Sequence, residues 1–418
     1  MVARSQVLCQ WNRVLYPPDH RPAVTYLARR LVVAHGRRER LKCVLWAGLG
    51  RGLGSRWRLR EDGVTLEALG DAQPALRPRL EQALGLLREA LADDALRRAA
   101  SLTGRGSLRW ILLLDPPSSS REGGVAFLFR GAERLPCAVL KLRRAAAADS
   151  SLEREAEALD ALAGRLPVPL RASLPRLLAY RRRQGCEALA LSVLEGCPAY
   201  VELHGRLWPR RRVERHLLAA ADWLSRFHIA TRSDSPAPPP EDEARRIGQT
   251  LAAAGRDQEP EDLAELLETA RRHHLPCSAV HGDFWARNLL LCGDRVGVVD
   301  WEHFRDVGSP LEDLFHFALS YGLNYPWSRY RRLPPLEAFR HTFLERNPVS
   351  RAVRRYFEAY GSRTGLPPEA WWHLLRLHLL TRPLPAGEPA PHEPTLRLEL
   401  ERLLACADRS LLRGDRCT

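Results

Sequence analysis

Lysine is nearly absent from this chain: of its 64 basic residues only Lys42 and Lys141 are lysines, and the rest are arginine. An ammonium is a compact point charge that a planar guanidinium cannot imitate where one phosphate must be gripped in a tight site. Each surviving lysine is therefore worth inspecting. Long apolar runs are lacking as well. No stretch approaches the roughly 18 consecutive apolar residues of a membrane span, and the opening MVARSQVLCQWNRVLY holds no continuous signal-peptide core. The nine cysteines are odd in number, form no Cys-x-x-Cys pair and lie scattered among apolar neighbours, as in a reducing compartment. The expected location is cytoplasmic, with peripheral attachment to a membrane left open.

What is present reads as a globular protein of more than one lobe. At 418 residues, with 45% hydrophobic and 27% charged residues, the chain exceeds a single modest core. Its net charge is +14 and unevenly spread, with ten basic residues against the single acid Glu39 between positions 29 and 60. Such a patch could meet an anionic partner or a membrane surface. No interleaved aromatic motif accompanies it, so specific nucleic-acid binding is not expected.

The stretch over residues 279–319, AVHGDFWARNLLLCGDRVGVVDWEHFRDVGSPLEDLFHFAL, carries the chemistry. His281, Gly282 and Asp283 are followed by Asn288. Two apolar runs, 289–292 and 296–299, then flank Gly293-Asp294-Arg295, the composition of a tight hairpin. A ladder symmetric about Asp294 would pair Leu289 with Val299 and make Asn288 and Asp300 cross-strand neighbours, roughly 5 Å apart. An amide and a carboxylate so placed suit Mg²⁺, which takes a few protein oxygens beside substrate phosphates. The pattern also fits the phosphoryl-transfer template, in which one Asp orients the acceptor hydroxyl while an Asn and a second Asp hold metal.

HGDFWARN and VVDWE resemble the HGDxxxxN loop and the IDWE segment of the aminoglycoside phosphotransferase and choline kinase family, a small-molecule branch of the protein-kinase-like fold. The resemblance implies an α+β, bilobal protein-kinase-like fold: a small antiparallel-sheet lobe at 105–196 with its hinge, and a larger helical lobe at 197–382. An N-terminal extension over 1–104 and a proline-rich segment with a last helix over 383–418 flank them. It also implies ATP and Mg²⁺ as cofactors, with Asp283 catalytic and Asn288 and Asp300 as metal ligands.

Other segments fall into place beside it. Apolar runs at 109–114, 125–130 and 137–142 predict a three-stranded meander. The first connection contains Ser119 and Ser120, whose hydroxyls could cover ATP phosphates, although no Gly-x-Gly-x-x-Gly motif is present. The phrase CAVLK resembles the strand of kinases that ends in the phosphate-binding lysine, placing Lys141 on the phosphates and Val139 over adenine. Residues 150–163 predict a helix with a Ser150-x-x-Glu153 capping box. In it Glu155 falls on the apolar stripe of Leu152, Ala156, Leu159 and Leu162. A carboxylate there demands a cation, and Lys141 is the candidate. By resemblance, the backbone around Leu194 and Glu195 would meet adenine. His228 reads as a core histidine, and Trp327, Tyr330, Trp371 and Trp372 fall where the family builds its acceptor pocket.

The expected activity is transfer of the ATP γ-phosphoryl group to a hydroxyl of a small molecule: a sugar, an aminoglycoside-like compound or a glycolipid precursor. A polycationic acceptor would be repelled at long range by a +14 protein. Protein substrates are disfavoured because no Ala-Pro-Glu signature follows Asp300. The alternative is a non-catalytic, kinase-like nucleotide-binding scaffold acting through its basic N-terminal segment.

Overall fold

The computed structural model describes residues 6–11, 14–16, 20, 26, 55–59, 66–69, 76–102, 108–115, 123–145, 150–183, 185–204, 210–234, 240–255, 262–324, 333–384 and 393–407. Ser119, Ser120, Trp327, Tyr330 and most of the basic stretch at 29–60 lie outside them. By internal contacts the chain divides into two compact units, residues 1–164 with 174–197 and residues 165–173 with 198–418.

The first unit is built on one nine-stranded sheet. Its strands are β1 (Gln6–Trp11), β2 (Val14–Tyr16), β3 (Ser55–Leu59), β4 (Leu66–Leu69), β5 (Leu108–Leu114), β6 (Gly123–Arg130), β7 (Ala138–Arg144), β8 (Leu177–Arg183) and β9 (Cys186–Leu191), in the spatial order 4-3-1-2-5-6-7-9-8. Composition marks the first hundred residues as a separate element, but β2 pairs with β5 and carries the ladder straight across. Edge-strand hydrogen bonding depends on backbone groups that composition does not report.

Alternation along β7 assigns the two faces of this sheet. Ala138, Leu140 and Leu142 are buried in one core cluster with Leu80, Leu84 and Leu87 of helix α1 (Arg77–Ala92). Val139 and Lys141 therefore point to the opposite face. Helix α1 ends at Asp93, whose carboxylate accepts from the amide of Leu96 at 2.9 Å and caps a second short helix over Asp94–Ala99. Gly123 is required where β6 meets β7, since a Cβ there would lie 2.1 Å from the carbonyl oxygen of Leu142.

The second unit is helical. Helices α3 (Ala199–His204), α4 (Arg210–Ala230), α5 (Pro240–Ala253), α6 (Leu263–Arg272), α7 (Pro310–Asn324), α8 (Pro348–Thr364), α9 (Pro368–Thr381) and α10 (Glu393–Ala405) accompany short antiparallel strands, Ser278–Val280 paired with Arg305–Gly308 and Leu289–Cys292 with Arg295–Val298; helix α2 (Ser151–Arg165) belongs to the first unit almost entirely. Ile247, Leu266, Leu380 and Leu398 join α5, α6, α9 and α10 into one apolar cluster. Arg376 is buried beside it and is neutralised by Asp262 and by Glu401, 2.5 Å away, as a buried charge requires. Trp371 and Trp372 are buried, the ring of Trp371 lying 5.5 Å from that of Phe357. No described helix is long and apolar enough to cross a membrane.

Candidate active site

In the first unit the cation demanded by Glu155 is present. Glu155 lies on α2, fully buried, and Lys141 Nζ is 2.5 Å from its Oε2. The helix is started as its sequence requires, with the amide of Glu153 donating to Ser150 Oγ at 3.1 Å. The stripe of Leu152, Ala156, Leu159 and Leu162 is buried with Glu155. Leu194 and Glu195 follow β9 without regular structure, Leu194 half-buried and Glu195 exposed.

In the second unit the loop at 281–288 is fixed from beneath. Asp313, in the first turn of α7 and fully buried, accepts from the amides of His281 at 2.7 Å and Gly282 at 2.9 Å. His228 Nε2 lies 3.6 Å from Asp313, an electrostatic contact, while its Nδ1 is 2.9 Å from Tyr360 Oη. Burial pushes the Asp313 carboxyl up. The contact with His228, with the amide of His281, outweighs that and holds it below the ordinary carboxylate value of 3.8. A depressed acid contributes stability that is full above its unfolded value and is lost as pH falls through its folded one. Asp313→Asn should therefore cost roughly 2–4 kcal/mol at neutral pH, from two charge-assisted bonds, and should flatten the loss of stability below pH 3.8. Denaturant titrations across pH check both.

His281 is buried, and burial holds its imidazole below the ordinary value despite the nearby carboxylates of Asp313, Asp283 and Asp300. In the neutral ring Nδ1 accepts from the amide of Asp283 at 3.2 Å, so Nε2 carries the proton donated to the carbonyl of Val299 at 3.1 Å. Trp301 and Phe284 pack against this ring, and Trp223 and Phe227 of α4 pack on them in turn. Gly282 has φ +80°, and a Cβ there would lie 2.3 Å from the carbonyl oxygen of His303. Gly282→Ala should destabilise the protein by at least ~2 kcal/mol, seen as a lower denaturation midpoint with an unchanged slope.

The hairpin forms with its register one residue from the expected one. Leu289 faces Val298 and Cys292 faces Arg295, so the turn has two residues, Gly293 and Asp294, with Gly293 at φ +62°. A glycine in the left-handed region permits this tighter turn. Asn288 is consequently opposite Val299, whose amide donates to its carbonyl at 3.0 Å, and is not cross-strand to Asp300. Its side chain instead donates Nδ2–H to the carbonyl of Asp283 at 2.9 Å and to Asp283 Oδ2 at 3.0 Å. Asp300, past the end of the strand, turns the chain at φ +73°. Such a conformation costs a non-glycine residue energy and persists where the surroundings impose it. Asp300 is near enough that its charge raises the Asp283 carboxyl.

One further neighbour of Asp283 lies outside the motifs, on α7. His316 Nε2 lies 3.4 Å from Asp283 Oδ1. Burial pushes the Asp283 carboxyl up, but the hydrogen bond and charge of His316, with His281, leave it below the ordinary carboxylate range. Asp313 and His316 are three residues apart on α7 and so share a helix face; that spacing was the available signal.

The family model for the "Phosphotransferase enzyme family" matches residues 119–372. The chain belongs to this family. Among solved structures, an aminoglycoside phosphotransferase from Streptomyces rimosus in complex with ADP and streptomycin is 17% identical, with 70% of this chain and 99% of that one covered and a TM-score of 0.40. A choline kinase from Cryptosporidium parvum is 12% identical, with 72% and 91% covered and a TM-score of 0.42. A fructosamine-3-kinase homologue from Haemophilus somnus is 12% identical, with 74% and 96% covered and a TM-score of 0.40. No curated protein sequence matches. This member of the phosphotransferase family has an antiparallel-sheet unit and a helical unit, the sheet enlarged by strands that precede the matched region.

Proposed function

We propose that the protein transfers the γ-phosphoryl group of ATP to a hydroxyl of a small molecule. The observation that carries this reading is Asp283: a carboxylate held ionised between His316 and the Asn288 amide, on a loop clamped from below by Asp313. In the reaction the bond from the γ-phosphorus to the β,γ-bridging oxygen breaks. A bond from the acceptor oxygen to that phosphorus forms, and the hydroxyl proton passes to the Asp283 carboxylate. The products are ADP and a phosphate monoester.

Lys141, held by Glu155, grips the nucleotide phosphates, with Val139 over the base and the backbone near Leu194 and Glu195 at its edge. The donor set suits a hard cation. Asn288 directs its Nδ2–H donations to Asp283, its Oδ1 is an acceptor, and Asp300 offers a carboxylate. These two residues would hold Mg²⁺, which supplies neutralisation of the charge on the transferred group. The remaining work is positioning: His281 and Asp313 fix the loop, and Asn288 fixes the rotamer of Asp283. A screen of ATP consumption against sugars, amino alcohols, aminoglycosides and glycolipid precursors, beside the Asp283→Asn protein, tests the reading. ADP formation that survives in the variant would overturn it.

A further inference from the structure

Arg287 stands on the same loop, one residue before Asn288, whose amide touches Asp283. It is exposed, yet not loose. Its guanidinium carbon lies 4.7 Å from the ring centroid of Tyr200 and 4.7 Å from that of Trp285. Tyr200 is itself tied to the loop, its amide donating to the carbonyl of Ala286 at 3.0 Å. Two aromatic rings thus hold the fork in place while using none of its N–H groups in ion pairing. Among the described residues no carboxylate pairs with Arg287. The nearest acid on the Tyr200 helix, Glu202, is engaged by Arg215 at 3.2 Å and His216 at 3.3 Å.

A guanidinium oriented by aromatic faces has already lost much of its rotamer freedom, and its in-plane donors match the two oxygens of a carboxylate or phosphate. Surface packing alone would stack arginine on one ring as readily as on two, at any position. Here the stack is built into the loop that carries the reacting carboxylate. The net charge of +14 acts in the same direction, drawing anions in and repelling polycations.

Resting on the phosphotransferase reading, we infer that the acceptor bears an anionic group, a carboxylate or a phosphate, that Arg287 recognises while a hydroxyl of the same molecule lies at Asp283. Arg287 is a specificity-determining residue. The acceptor class is a hydroxy acid, a sugar acid or a sugar phosphate, not a polycation.

The full-length protein is assayed for ADP formation with matched acceptors: a neutral hexose, the corresponding hexuronic acid, the hexose 6-phosphate, the aminohexose and an aminoglycoside. Wild type, Arg287→Ala, Arg287→Lys and Asp283→Asn are compared. An anionic member should be preferred over the neutral one in kcat/KM by roughly 10- to 100-fold, as a charge-assisted hydrogen bond provides. The hexuronic acid and the hexose 6-phosphate distinguish carboxylate from phosphate. Arg287→Ala should collapse that preference toward one, chiefly through KM, and Arg287→Lys should restore only part of it. Asp283-dependent transfer that favours neutral or cationic acceptors, or an anionic preference unmoved in Arg287→Ala, overturns the inference and leaves the phosphotransferase reading standing. No acceptor of any charge giving ADP above the Asp283→Asn level overturns both.

Discussion

Replacing Asp283 by asparagine is expected to lower turnover by about 10³-fold, within the span that a positioned general base contributes, while nucleotide affinity is preserved. Asparagine has nearly the shape of aspartate, and its side-chain oxygen can still accept from Asn288 Nδ2, which in the wild type lies 3.0 Å from Asp283 Oδ2. What is lost is the negative charge and with it the capacity to take a proton. The contact with His316 would also weaken, because it lies at 3.4 Å and depends on that charge. Parallel measurement of ADP release and of ATP binding separates the two effects. Variant turnover within threefold of wild type would remove Asp283 from the chemistry.

The second large effect concerns Lys141 and Glu155. Glu155 is completely buried and Lys141 is paired with it at 2.5 Å, so Lys141→Met removes that cation from a carboxylate in an apolar stripe. Breaking a buried pair by removing one partner costs roughly 3–5 kcal/mol, and a chemical-denaturation curve should show it. Replacing both ions by apolar residues of similar volume is often close to neutral. The double variant Lys141→Met with Glu155→Leu should therefore recover most of the lost stability and none of the lost ATP affinity. Recovery of both together would show that the lysine serves the fold alone. A single variant as stable as wild type would show that Glu155 does not rely on Lys141.

Much of this site was legible in one dimension because its residues are close in sequence and obey short-range rules. A carboxylate on an apolar helical stripe needs a cation wherever the helix packs, so Glu155 pointed to Lys141 across 14 positions. The hairpin at 289–298 followed from apolar runs around Gly293 and Asp294. Its register did not, because two- and three-residue turns share the same composition and differ only in backbone angles. That single step placed Asn288 opposite Val299 instead of Asp300, with its side chain on Asp283.

The amino-acid order alone determined the family pattern, the small-unit strands and helix, and the identities of the lysine, the two aspartates and the asparagine. These depend on local propensity, periodicity and residue type. Only the tertiary structure decided that the first strands extend the same sheet, that His316 reaches Asp283, and that Tyr200 and Trp285 enclose Arg287. Each of those joins segments whose meeting depends on how helices and strands pack, and a packing arrangement minimises the free energy of the whole chain, not of any window along it.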